Sequence, residues 1–159
     1  MPFRPVAFFA FLCLAALQVQ AYEGTVSHVS DGDTLWVRPA KGGAPRALRL
    51  DGIDAPEICQ AHGALARDAL AARLLHRQVA VRTRSRDSYH RALASVSLDG
   101  QDMGAWMVAR GHAWAHRFHG HAGAYAAQES AARSKRLGLW AHAQPLEPRA
   151  FRRKHGACH

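Results

Sequence analysis

Lysine is scarce in this chain: 18 of its 21 basic side chains are arginine and three are lysine. Acids are outnumbered as well, 12 against 21, and the formal net charge is +9. Such a field favours anionic partners, namely nucleic acid, acidic polysaccharide or a negatively charged membrane surface, and says nothing about fold. Arginine adds a planar fork suited to phosphate. Long apolar runs are missing beyond "VAFFAFLCLAAL", residues 6–17, which is too short to span a bilayer comfortably, so the processed protein is expected to be soluble. Internal repeats and Pro/Ser linkers are also missing, which argues against a solenoid or a tandem of domains and leaves one compact unit.

The apolar run follows Arg4 and ends near "VQA", residues 19–21, the pattern of an export signal cleaved to leave Tyr22 first. An uncleaved anchor is the rival reading. The expected division is a signal peptide at 1–21, a domain at 22–148 and a basic C-terminal tail at 149–159. Loss of residues 1–21 removes Arg4 and no acid, leaving +8. It also removes one of three cysteines, Cys13. The remaining pair, Cys59 and Cys158, suggests one bridge in an oxidising compartment, secreted or periplasmic, with two free thiols as the alternative.

Periodicity divides the domain into β and α stretches. "GTVSHVSDGDTLWVRP" alternates around Val26, Leu35 and Val37, with "DGD" as a turn, and "RALRLDGI" is a further strand after the "KGGAP" turn. "AHGALARDALAARLLHR" predicts a helix with Leu65, Ala69, Leu70, Leu74 and Leu75 on its buried side. Period two returns at Val79 and Val81, then at Leu93 or else at Ala94, Val96 and Leu98. A short helix ended by Gly111 and a longer one stopped at Gly138 complete the pattern. Three strands, a helix, two strands and two helices fit an α+β, mainly β domain. The expected architecture is a five-stranded oligonucleotide-binding barrel with about three helices, rather than a parallel α/β sheet.

Within this pattern "RLDGIDAPE", residues 49–57, sets Asp51, Asp54 and Glu57 close together, and such acids repel unless something positive holds them. Five segments occur in one order: "DGDT" at 31–34, "RLDGIDAPE", "DSYHR" at 87–91, "GAWMVARGHAW" at 104–114 and "KRLGLW" at 135–140. With these pieces the chain resembles the staphylococcal nuclease-like (thermonuclease) family over nearly all of residues 22–159.

The resemblance implies a calcium-dependent phosphodiesterase that cuts DNA and RNA and leaves 3′-phosphates. By that likeness Asp33 and Asp54 are metal ligands with the Ala55 carbonyl, Glu57 is the catalytic carboxylate, Arg49 and Arg91 bind phosphate, and Tyr89 lies beside it. Ala55 stands where threonine is frequent. The chemistry is coherent on its own terms. A hard divalent ion takes oxygen ligands, and arginines aimed at nonbridging oxygens stabilise the charge that builds on them. A carboxylate is then needed to activate water. A non-catalytic nucleic-acid-binding module on the same barrel is the alternative, and its expected sign would be loss of Glu57 or of an arginine. The protein is expected to be a monomer.

Other residues have plainer readings. Asp31 and Asp51 are turn and surface acids. "ICQAHG", residues 58–63, is shorter than the family's mobile loop, and His90 replaces a frequent glycine. Arg117 or Phe118 stands where the family often has a base-stacking tyrosine. His112, His116, His119 and His121 raise a zinc hypothesis, with a histidine-rich metal-binding protein as the distant rival. No cysteine or acid completes that set, and surface histidines near a nucleic-acid groove fit better. Trp106, Trp114 and Trp140 read as core. The tail "RAFRRKHGACH" is either a phosphate-contacting arm or a solvated end.

Overall fold

The computed structural model describes residues 20–87, 89, 91–117, 121–156 and 158. Cys13, His90, Phe118, His119 and nearly all of the expected signal lie outside them. Alternating apolar residues make a half-buried strand wherever one face can turn inward. Five segments do so here: β1 (Gln20–Val29), β2 (Thr34–Pro39), β3 (Arg46–Leu50), β5 (Gln78–Arg86) and β6 (Ala92–Leu98). Short pieces β4 (Ile53–Asp54), β7 (Gln101–Asp102) and β8 (Trp114–Ala115) lie between the longer elements.

The sheet runs β3-β2-β1-β5-β6 and closes through a parallel β3–β6 pairing. Register breaks in β1 between Val26 and His28, and in β5 between Thr83 and Ser85, supply the local bends that closure needs. Inward residues include those the alternation predicts, Val26, Leu35, Val37, Val79 and Val81, and Leu48 of β3 is buried beside them. In β6 the choice resolves to Ala94, Val96 and Leu98. The fold is thus the expected mainly β oligonucleotide-binding barrel. Its closure has a functional consequence, because Arg49 pairs with Leu93 and so stands next to the start of β6, where Arg91 sits.

Helix α1 (Gly63–Leu74) packs Ala66, Leu70 and Leu74 into the core. Leu65 and Leu75, expected on that side, are exposed. At 100° per residue each lies about 140° round the helix axis from Leu70, and Leu75 already caps the helix with an extended backbone. Helix α2 (Met103–Ala109) starts at Asp102, whose carboxylate accepts the Ala105 N–H, and Gly111 follows it at φ +72°. Helix α3 (Ala126–Ser134) ends before Gly138, because Arg136 already takes a left-handed φ of +51°.

A smaller apolar cluster joins Trp114, Ala132, Leu139 and Trp140, with Trp114 edge-on to Trp140. Trp114 and Trp140 are therefore core, and Trp106 packs partly buried against the barrel core. A fourth helix, α4 (Pro148–His155), forms where the sequence suggested an arm or a solvated end. Proline in its first turn costs no hydrogen bond, and Gly156 follows its last residue at φ +79°. Among the described residues no helix is long and apolar enough to cross a membrane.

Candidate active site

The "DGD" turn builds the floor of the site. Asp31 Oδ1 accepts the Asp33 N–H at 3.0 Å, a local bond that sets the turn. Gly32 has no side chain because a Cβ there would meet the Cβ atoms of Ala55 and Ala66 at 2.8 Å. That close approach carries Asp33 beneath the strand end bearing Asp54. Asp33 is 2% exposed, and its Oδ2 accepts the Ala55 N–H at 3.1 Å.

Arg49 projects from β3 onto both acids. Its guanidinium forks onto Asp33, Nη1 to Oδ1 at 3.0 Å and Nη2 to Oδ2 at 2.8 Å, and Nη2 also reaches Asp54 Oδ1 at 2.7 Å. Burial pushes the Asp33 carboxyl up, to about 7, against the pull of Arg49 and of the Ala55 N–H, while the neighbouring Asp31 and Asp54 push it further. An ionised Asp33 therefore depends on positive charge beside it. Burial alone would lower the Arg49 pKa, yet Asp33 and Asp54 raise it.

Arg91 joins from the position just before β6. Its Nη1 donates to Thr34 Oγ1 at 3.1 Å, and Thr34 Oγ1 donates to Asp33 Oδ1 at 3.0 Å. Its Nε donates to Asp87 Oδ2 at 2.8 Å, so Asp87 fixes the guanidinium at one edge. Burial would raise the Asp87 carboxyl, but bonds from Arg91 and from the Tyr89 N–H outweigh it and hold it below the usual range. Tyr89 is 76% exposed, with the Arg91 guanidinium 5.3 Å from its ring centre. Sequence reasoning had not singled out Thr34 or Asp87, although both belong to quoted motifs.

Glu57 lies beyond β4 in an irregular stretch. Its backbone N–H donates to Gln60 Oε1 at 3.2 Å, and its carbonyl accepts the Gln60 N–H at 2.8 Å. Helix α1 begins against this turn; a Cβ on Gly63 would collide with the Glu57 carbonyl oxygen. The side-chain partner of Glu57 is Arg152 of α4, which sequence reasoning missed. Arg152 Nη1 donates to Glu57 Oε1 at 2.6 Å, and Nη2 donates to Asp54 Oδ2 at 3.2 Å. The Cys59–Cys158 disulfide joins the two segments. Bridging those cysteines was the one available signal for this contact, since it brings the residues before Cys158 to the Glu57 turn.

All the expected site residues therefore converge: Asp33, Arg49, Asp54, Ala55, Glu57 and Arg91 at the barrel end, with Tyr89 at the rim. Asp33, Asp54 and Glu57 are bonded directly by two guanidiniums, Arg49 and Arg152. The third, Arg91, is paired with Asp87 and reaches Asp33 only through Thr34, so the acids outnumber their direct arginine partners by one. Hard carboxylate oxygens with unbalanced negative charge suit a hard divalent cation. Among the described residues no cage of three or more His, Cys, Asp or Glu side chains stands ready for a metal.

The remaining candidates lie elsewhere. Asp51 pairs with Arg84 at 3.1 Å on the surface. Arg117 is drawn toward Glu129, 3.8 Å away. His112 stacks on His62, with His62 Nε2 3.1 Å from His112 Nδ1, so it is a half-buried packing group. Burial, with the nearby His62 and Arg110, lowers its pKa to about 4. His112 and His116 flank a strand piece, not one helix face, which removes the spacing that suggested zinc.

Comparison with known proteins places the chain in a family. Residues 47–142 match the family described as "Staphylococcal nuclease homologue". "Protein ParB" of Escherichia coli is 38% identical over 95% of this chain and 90% of its own length. An "Uncharacterized endonuclease" of Haemophilus influenzae is 35% identical over 91% of this chain and 80% of its own. The "Micrococcal nuclease" of Shigella flexneri is 35% identical over 94% and 91%. With its barrel, its acid and arginine cluster and a matched stretch covering most of the domain, the chain belongs to the staphylococcal nuclease family.

Proposed function

We propose that this protein is an exported, calcium-dependent endonuclease that hydrolyses phosphodiester bonds of DNA and RNA with little sequence specificity and leaves 3′-phosphates. The observation that carries the reading is the meeting of Asp33, Asp54 and Glu57 with Arg49 and Arg91 at one end of the barrel. Relatives named as endonuclease and micrococcal nuclease support the reaction class.

Asp33 and Asp54, with the Ala55 carbonyl, would hold the ion. When bound, calcium supplies positive charge at the phosphate and a polarised water. Arg49 and Arg91 donate to the nonbridging oxygens, whose charge rises in the transition state. Arg91 is prepared for this by Asp87 and Thr34, which fix its guanidinium before substrate arrives. Glu57 takes the proton of the attacking water, whose oxygen bonds to phosphorus as the P–O5′ bond breaks, and the leaving 5′-oxygen takes a proton from solvent. Tyr89 flanks the phosphate from the rim, and the excess of arginine along the chain draws in any nucleic acid through its backbone.

The export signal and the cysteine pair favour a secreted or periplasmic site of action, as a monomer without membrane attachment. The test is incubation of plasmid DNA and of RNA with purified protein, with calcium or with chelator, followed by mapping of product ends. Cleavage only with calcium, giving ends that block extension until dephosphorylated, is expected. Full cleavage in chelator overturns the metal requirement, and binding without cleavage favours the non-catalytic module.

A further inference from the structure

The turn that carries Glu57 has little secondary structure of its own to hold it, and residues 146–158 staple it at three points. Cys59 is bonded to Cys158. Gln60, which braces the Glu57 backbone, donates from Nε2 to the Leu146 carbonyl at 2.6 Å. Arg152 bridges the Glu57 and Asp54 side chains, and its Nη1 lies 3.4 Å from Asp54 Oδ1 as well.

We propose that Arg152 is a positioning residue of the nuclease site: carried by the disulfide-anchored helix α4, its guanidinium fixes the Glu57 carboxylate beside Asp54. The inference rests on Glu57 being the carboxylate that activates water. Ion pairs at a surface are weak when both side chains must be ordered to form them. Here the disulfide, six residues beyond Arg152, already orders the helix, so little entropy remains to be lost when the pair forms. The side chains are also partly sheltered, with Arg152 35%, Asp54 12% and Glu57 22% exposed.

The contact leaves Glu57 able to work. Arg152 binds Oε1, and among the described residues Oε2 accepts no hydrogen bond. A carboxylate held by one oxygen presents the other in a fixed direction. A planar fork suits this task, since one guanidinium reaches two carboxylates at once, which an ammonium point charge does less well.

The same geometry sets a second, opposite effect. Arg152 places positive charge on Asp54, an expected calcium ligand, and so opposes the ion there. Removing the guanidinium therefore loosens Glu57 while making the metal site more negative. Loss of turnover with tighter calcium binding is the signature, and simple structural damage would weaken both.

The experiment compares wild type, Arg152→Ala, Arg152→Lys and Cys158→Ser. Calcium binding is measured by calorimetry without nucleic acid, kcat and KM on an oligonucleotide at saturating calcium, and folding by circular dichroism and melting. Arg152→Ala is expected to lower kcat about 10- to 100-fold. Its KM should hardly change, and its calcium affinity should rise. Arg152→Lys should restore wild-type calcium affinity and only part of kcat. Cys158→Ser should also lower kcat, because it frees both the helix that carries Arg152 and the turn that carries Glu57.

Unchanged or increased kcat in a folded Arg152→Ala protein overturns the positioning role, the increase pointing to a plug instead. Calcium affinity that fails to rise overturns it too, and that arm reads out with no turnover at all. A wild-type protein that binds calcium but cleaves nothing overturns the nuclease reading itself, a result distinct from either.

Discussion

Two buried carboxylates, each met by arginine, lie in different parts of the molecule and invite opposite conclusions. Asp33 is 2% exposed and Glu129 is 4% exposed. Glu129 sits on α3, where its Oε2 accepts the Ala115 N–H at 2.8 Å. Its Oε1 accepts from Arg133 Nε at 2.8 Å, with Arg117 3.8 Å away. One acid there has two arginines, so the charge is more than balanced and the acid ties α3 to β8. At the other end three acids bond directly to two arginines, while the third arginine there, Arg91, is matched by Asp87. Burial and pairing look alike in both places; what differs is the count of direct partners, an arginine in excess at one end and an acid in excess at the other.

The comparison breaks most sharply under isosteric neutralisation. Glu57→Gln keeps shape but cannot take a proton, so the cleavage rate should fall about 10²- to 10⁴-fold, while folding and calcium-dependent binding of a nucleotide survive because Asp33, Asp54, Arg49 and Arg91 remain. Glu129→Gln should leave the rate of the folded enzyme unchanged. A Glu57→Gln protein cutting at the wild-type rate would remove Glu57 as the base.

Next in size is Asp33→Asn. Taking one ligand charge from the cluster should weaken calcium binding tenfold or more, by analogy with the loss caused by altering groups around a metal. Excess calcium should restore part of the activity, and calorimetry reads the affinity directly. Equal calcium affinity in the variant would mean the ion sits elsewhere.

Glu129→Gln should show its effect in stability instead. The Ala115 N–H keeps an acceptor in the amide oxygen, but the pairs with Arg133 and Arg117 are lost. Since those arginines are 44% and 60% exposed, a loss of about 1–3 kcal/mol is expected in denaturant titration. A stability equal to wild type would show that the clasp is idle.

The smallest effect concerns the half-buried pair His62 and His112. His112 has a folded-state pKa of about 4 against an ordinary 6.5. Between those values the unfolded chain binds more protons, so stability falls as pH drops from about 6.5 to 4. Facing groups are His62, whose own pKa is lowered by burial and by His142, the Trp106 ring and Arg110. His112→Asn should flatten the fall in melting temperature between pH 7 and pH 5. An equally steep fall would place the acid sensitivity elsewhere.

Much of this was open to reading before any coordinates. Alternation in Val26, Leu35 and Val37, and again in Val79 and Val81, follows from the two-residue period of a strand with one wet face. The resemblance carried by the ordered motifs pointed to Asp33, Arg49, Asp54, Glu57, Tyr89 and Arg91, each of which lies within a short quoted segment. Leu65 and Leu75 misled because leucine marks hydrophobicity, whereas the side of a helix that is buried follows from angle, and small Ala66 fits where α1 meets the barrel.

The amino-acid sequence by itself determined the strand and helix periods, the positive charge and the identity of the acids and arginines, because these depend on neighbours within a few residues. Only the tertiary structure decided which cations meet which acids. Closure of β3 on β6 is what sets Arg49 beside Arg91, and α4 is what carries Arg152 to Asp54 across a separation of 98 residues. Nothing local in "RAFRRKHGACH" distinguishes Arg152 from the arginines beside it. That choice is made by the direction in which the helix presents each side chain once Cys158 is bound to Cys59, and long-range geometry of this kind leaves no period in a sequence.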